Sequence, residues 1–202
     1  RELTFRKNAS LPRLAWCAQI VRSSPTVLVE HGAWVETRPD GFIEGVWNGP
    51  FTLRDFSRAE VVLGSGGCLQ GENLLFTPTT HTMERLYSMR LRDELLVSNS
   101  LVYLLEATGS HLNLTDWSHE RALMTFLRGY KRATPAIRIA NGRSVRLHYH
   151  QTVAVDPSLS LRVLDPPEER SMLDPQEWAW MEEHAAGDFD HLLIGTSLPF
   201  LL

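Results

Sequence analysis

The chain has little cysteine, little net charge and no long apolar run. Its two cysteines, Cys17 and Cys68, are far apart and belong to no CxxC pair. That argues against a zinc ribbon or a disulfide framework and for two buried thiols. The formal net charge is -4, with acidic and basic residues mixed along the chain. No basic face is on offer to a nucleic acid. No apolar run approaches the roughly 20 residues that span a bilayer. No basic, apolar, small-residue signal pattern opens the chain, so a soluble, cytoplasmic protein is the default expectation. Internal repeats and low-complexity segments are missing as well.

What is present suits a folded protein. The 202 residues are enough for one large domain or a domain plus part of another, and six tryptophans promise a real core. The ends are odd. The chain starts at Arg1 and stops inside the apolar run Pro199-Phe200-Leu201-Leu202. The expectation is a fragment, or a chain whose greasy end is covered by a partner or by further residues.

Residues 1–25 carry few clear signals beyond a short apolar stretch from Leu14 to Val21. Thr26 to Val29 reads as a strand from its β-branched content. Ala33 to Thr37 and Phe42 to Trp47 read as two strands joined by Arg38-Pro39-Asp40-Gly41, where Pro presets one turn angle and Gly supplies positive φ. Ala59 to Leu63 is a further strand, running into a loop at Gly64-Ser65-Gly66-Gly67. Short strands are expected at Leu74 to Phe76 and Leu95 to Val97. Asn99 or Ser100 then caps a helix that Gly109 stops. Thr115 or Asp116 caps a second helix, with Leu123, Phe126, Leu127 and Tyr130 on one face. Ile137 to Tyr149 alternates around Asn141-Gly142 and predicts a hairpin with a type I′ turn. Asp156 to Pro175 holds four prolines and reads as a boundary or a long surface connection. Asp174-Pro175-Gln176-Glu177 is a helix start with a capping box. Leu192 to Ile194 reads as a buried strand.

Few motifs carry chemistry. Gly64-Ser65-Gly66-Gly67 after a strand has the composition of a phosphate cradle, but no helix follows it, and a plain turn is the simpler reading. His148 and His150 are two apart on a strand, a spacing that offers two metal ligands. Arg138 and Arg146 share that face and would repel a cation, so a solvated face is the competing reading. Asp188, Asp190 and His191 fit an acid/base group or, more simply, a helix-to-strand turn. Thr196 and Ser197 stand at the carboxyl end of the last strand, where a substrate hydrogen bond is possible.

The run Met172-Leu173-Asp174-Pro175-Gln176-Glu177-Trp178-Ala179-Trp180, with Asp188 to Leu202 after it, resembles the PhoD-like alkaline phosphatases. Arg162-Val163-Leu164 fits the approach to that helix, and Asp156 after Val153-Ala154-Val155 fits the strand before it. The resemblance covers residues 152–202. It implies a metallophosphoesterase fold and hydrolysis of phosphate esters with divalent or ferric metal ions. The family's metal-ligand motifs lie before and after this stretch. Pro157-Ser158 also stands where the family has an Arg soon after the Asp. By resemblance this piece is a scaffold without its metal centre, and no cofactor is evident in the chain itself.

The order Gly41 to Phe51, Leu95 to Leu101, an Ala- and Leu-containing helix, and a hairpin near Asn141-Gly142 resembles the glutaminase-type domain of asparagine-synthetase relatives. That implies a layered αββα fold whose nucleophile is an N-terminal Cys activated by its own amine. Position 1 here is Arg and Cys17 is internal, which puts glutamine hydrolysis in doubt.

The expected architecture is therefore α+β: a layered, strand-rich domain over residues 1–150, then a helix–strand piece of metallophosphoesterase type over residues 151–202. Three functions are open. The first is a truncated or hybrid protein with a non-catalytic, asparagine-synthetase-like first domain. The second is a fragment of a metal-dependent phosphatase with Thr196 and Ser197 at the substrate and His148 and His150 as metal ligands. The third is a protein-interaction domain.

Overall fold

A computed structural model describes residues 1–48, 56–59, 61–80, 84–113, 118–125 and 136–164. The chain divides into two compact units, Arg1–Pro166 and Pro167–Leu202. All described residues belong to the first unit. The predicted helix from Asp174 and the strand at Leu192 to Ile194 lie outside them.

The first unit is built from two sheets. One contains β1 (Glu2–Lys7), β2 (Trp16–Val21), β3 (Thr26–His31), β8 (Leu86–Arg90), β9 (Glu94–Ser98), β10 (Ala136–Arg138) and β11 (Ser144–His148), in the order β1-β3-β2-β9-β8-β11-β10. Only β1 and β3 run parallel there. The other contains β4 (Glu36–Arg38), β5 (Gly41–Trp47), β6 (Val62–Gln70), β7 (Asn73–Thr77), β12 (Val153–Val155) and β13 (Leu161–Val163), antiparallel throughout, in the order β13-β12-β7-β6-β5-β4. Two short helices, α1 (Leu101–Ala107) and α2 (Ser118–Met124), complete the described elements, with a 3-10 turn at Phe56–Arg58.

This corrects the expected fold class. The described architecture is mainly β, not an α+β chain of metallophosphoesterase type. The reason lies in burial. Trp16, Ala18 and Ile20 of β2 join the core between the sheets, whereas Cys17 packs toward α1. In β9, Leu95 and Val97 face the second sheet and Leu96 faces α1. Strands covered on both faces are continuously apolar and lack the alternation that identifies a strand from sequence. Each fully buried side chain of this kind contributes about 1.5–3 kcal/mol.

Turn and cap residues locate elements well, though not every turn conformation. β4 and β5 form the predicted hairpin across Pro39-Asp40, but Gly41 does not adopt the expected positive φ. Ser100 caps α1 by accepting from the Tyr103 N–H at 3.3 Å, and Gly109 stops the helix at φ 58. The Ser110 N–H reaches the Leu105 carbonyl at 2.8 Å and the Gly109 N–H reaches that of Glu106 at 3.0 Å, a Schellman arrangement. The Tyr103 hydroxyl then donates to the Glu30 carboxylate, which also accepts from Arg6 at 3.0 Å and Asn8 at 3.1 Å, tying α1 to β3 and β1.

The β10–β11 hairpin is present, with a different turn. The Gly142 N–H bonds the Ile139 carbonyl at 3.0 Å, which places Ala140 and Asn141 at the centre; Gly142 follows at φ 78, and Asn141 has no positive φ. That is a turn closed by a left-handed glycine rather than a type I′ turn. The second predicted helix is present as α2, but its expected caps and most of its apolar face lie outside the described residues.

Asp156 to Ser160, the first part of the stretch Asp156 to Pro175 expected as a boundary or a long surface connection, is a tight turn between β12 and β13; the division between the two units, after Pro166, falls inside that stretch. Ser160 N–H bonds Asp156 Oδ1 at 2.9 Å, and Leu159 N–H bonds the Asp156 carbonyl at 3.0 Å. Leu159 adopts φ 65 and is fully buried in the inter-sheet core. Its burial offsets the cost of that left-handed backbone.

The largest local surprise is β6. The expected loop Gly64-Ser65-Gly66-Gly67 is the middle of a nine-residue strand paired on both sides. A Cβ on Gly66 would lie 2.3 Å from the Phe42 carbonyl oxygen, and one on Gly67 would lie 2.9 Å from the Phe42 ring. The glycines let bulky aromatics seat between the sheets; they do not cradle a phosphate.

Candidate functional site

Polar side chains converge where the two sheets meet. Glu44 of β5 and Ser65 of β6 are directly opposite in register. The Ser65 hydroxyl donates to Glu44 Oε1 at 2.7 Å and accepts from Trp16 Nε1 at 3.1 Å. Asn99, between β9 and α1, donates through Nδ2 to Glu44 Oε1 at 3.2 Å and to the Leu14 carbonyl at 3.0 Å. Its Oδ1 accepts from the Trp16 N–H at 2.9 Å, and the Ser98 hydroxyl donates to the Trp16 carbonyl at 2.6 Å. One carboxyl thus links β5 and β6 of one sheet to β2 and β9 of the other.

Aromatic packing surrounds this cluster. The Trp16 ring stacks on Phe76 at 5.9 Å and 9° and meets the edge of Phe42 at 4.9 Å and 70°. Glu44 is only 7% exposed. Burial pushes its carboxyl up to about 8, against the opposing hydrogen bonds from Ser65 and Asn99. The group is therefore mostly protonated at neutral pH.

The two thiols are unpromising nucleophiles. Burial, with Glu30 nearby, pushes Cys17 up to about 12. Burial also raises Cys68. The reactive species is the thiolate, and both environments suppress it. Cys68 borders a cavity of about 40 Å³ beside Ile43, Trp47 and Phe56. That is far below the roughly 300 Å³ at which small-molecule sites begin.

His148 and His150 each have a hydrogen-bond partner of their own. His148 Nε2 lies 2.8 Å from Ser88 Oγ, and burial, aided by Arg146, pushes its imidazole down to about 4, so it is neutral. β11 ends at His148, and His150 adopts φ 56, with Nδ1 donating to the Thr80 carbonyl at 3.0 Å. The burial pattern still alternates through Tyr149, which packs with Leu147 and Ile137, while the two imidazoles bond different partners. Among the described residues, no three His, Cys, Asp or Glu side chains are grouped to hold a metal ion. Thr196 and Ser197, with Asp188, Asp190 and His191, lie outside the described residues. So does most of the run that resembles the phosphatases.

The cluster around Glu44 escaped a motif-based reading because its members come from four separate strands or their ends. One signal was available. A lone carboxylate sits in Gly41-Phe42-Ile43-Glu44-Gly45, a strand otherwise apolar or glycine. A charge-bearing side chain there is either exposed on one face or buried with partners.

No helix among the described residues is long and apolar enough to cross a membrane. Compared with known proteins, the chain matches no family model, no curated protein and no solved structure.

Proposed function

We propose that residues 1–150 form a non-catalytic relative of the glutaminase-like domain of asparagine-synthetase relatives, acting as a two-sheet scaffold. The resemblance implied an αββα layering, of which the described residues supply both sheets and helix on the first sheet only. A seven-stranded and a six-stranded sheet enclosing one core, with α1 on the far face of the first, support that layering. The resembling runs also fall in order on β5, on β9 with α1, and on the β10–β11 hairpin.

The observation that carries the non-catalytic part is the state of the cysteines. Glutaminase chemistry of this type needs a thiolate. Cys17 and Cys68 are the chain's two thiols, and burial keeps both protonated. Incubation of the full chain with glutamine is expected to release no ammonia above the buffer blank. Turnover that disappears in Cys17→Ser or Cys68→Ser would overturn the reading.

A further inference from the structure

We propose that Glu44 is a proton-operated latch that holds the two sheets together when its carboxyl is neutral and loosens their junction when it ionises. Burial opposes the charged form, although the Ser65 and Asn99 hydrogen bonds favour it. Of the described groups, Ser65 from β6 and Asn99 before α1 bond it directly and Trp16 from β2 bonds Ser65, and all three are neutral. The charged group that bears on it is Glu84, ahead of β8, whose sign opposes ionisation. Among the described residues, no cation is shown paired with this carboxyl, so its ionised form would be penalised by the low-dielectric core.

The direction of the pH effect follows from linkage. A glutamate in the unfolded chain titrates near 4.5, and in the fold burial pushes Glu44 up to about 8. Between those values the folded state holds more protons than the unfolded state. Stability therefore falls as pH rises across that window and stays lowered above it. The latch does not rest on the family reading and stands or falls separately from it.

The test is hydrogen exchange in the full chain, corrected for intrinsic base catalysis. It is followed at the Trp16 indole N–H, the Trp16 amide and the β10–β11 amides. Protection at Trp16 is expected to fall at least about tenfold between roughly pH 6.5 and 9.5, while the β10–β11 amides change little. Glu44→Gln keeps the acceptor for Ser65 and Asn99 without a titrating proton and is expected to hold its Trp16 protection within about twofold. Flat protection in the parent chain, or an equal fall in Glu44→Gln, would overturn the proposal. Should Glu44→Gln not fold, the parent's Glu44 carboxyl carbon shift decides. A midpoint near 8 supports the latch, and one near 4.5 overturns it.

Discussion

Trp16→Ala is expected to lower the unfolding free energy by about 3–5 kcal/mol, the range for removing a large buried aromatic side chain. The indole is fully buried, stacks on Phe76, meets Phe42 edge-on, and donates to Ser65. Truncation leaves a cavity between the sheets and removes the link from β2 to the Glu44–Ser65 pair. Domains have total stabilities of about 5–15 kcal/mol, so the loss approaches the whole of a marginal fold. Trp34→Ala is the control. Trp34 is 51% exposed and is covered by the Arg13 guanidinium at 4.5 Å. Its loss is expected to cost no more than about 1 kcal/mol. Urea midpoints at constant m-value would separate the two. Equal shifts would place the core elsewhere.

Gly64→Ala should be comparably severe, for a different reason. Gly64 sits opposite Gly45 in the β5–β6 pairing, at φ 119 and φ 131 respectively. A Cβ on Gly64 would be 1.9 Å from the Glu44 carbonyl oxygen and 2.8 Å from the Gly45 Cα. These are backbone atoms that cannot swing aside. The strands must separate, and Glu44 must leave its register with Ser65. A loss of at least about 3 kcal/mol is expected, the upper end for one strained residue. Gly71→Ala provides the contrast. It has φ 59 and nothing within 4 Å of an added Cβ. Only the left-handed backbone penalty of about 1–2 kcal/mol applies there. Thermal or urea unfolding of both variants checks the pair. If Gly64→Ala is as stable as Gly71→Ala, the strand assignment for Gly64 to Gly67 fails.

Those glycines also show what was legible in the sequence. Local chemistry was readable wherever a turn or cap has its own residue code. Pro39-Asp40-Gly41, Ser100 with Gly109, and the alternation around Asn141-Gly142 each marked a real element. Strands defined by distant partners were not readable. Gly64-Ser65-Gly66-Gly67 has the composition of a loop, and its pairing with β5 and β7, at approaches only glycine allows, makes it a strand. Glu2–Lys7 pairs in parallel with Thr26–His31, a contact that no local signal announces. Leu86–Arg90 carries no local signal either, the strand at Leu161–Val163 is obscured by proline-rich surroundings, and Val153–Val155 was expected as a strand only through the phosphatase resemblance. The Glu44 cluster was hidden twice over, since Asn99 and Trp16 come from the opposite sheet. The two histidines show a different limit: their spacing marks an alternating segment, but β11 ends at His148 and spacing alone does not name the separate partners, Ser88 and the Thr80 carbonyl.

The claim that this is a scaffold without a usable thiol is tested most directly by alkylating Cys17 in the native full chain. Iodoacetamide labelling at neutral pH, read residue by residue by mass spectrometry, should leave Cys17 unmodified on a timescale that labels the urea-unfolded chain completely. The expected ratio of rates is at least about a thousandfold, because the thiol is both buried and protonated. Labelling of native Cys17 as fast as in the unfolded chain would contradict it.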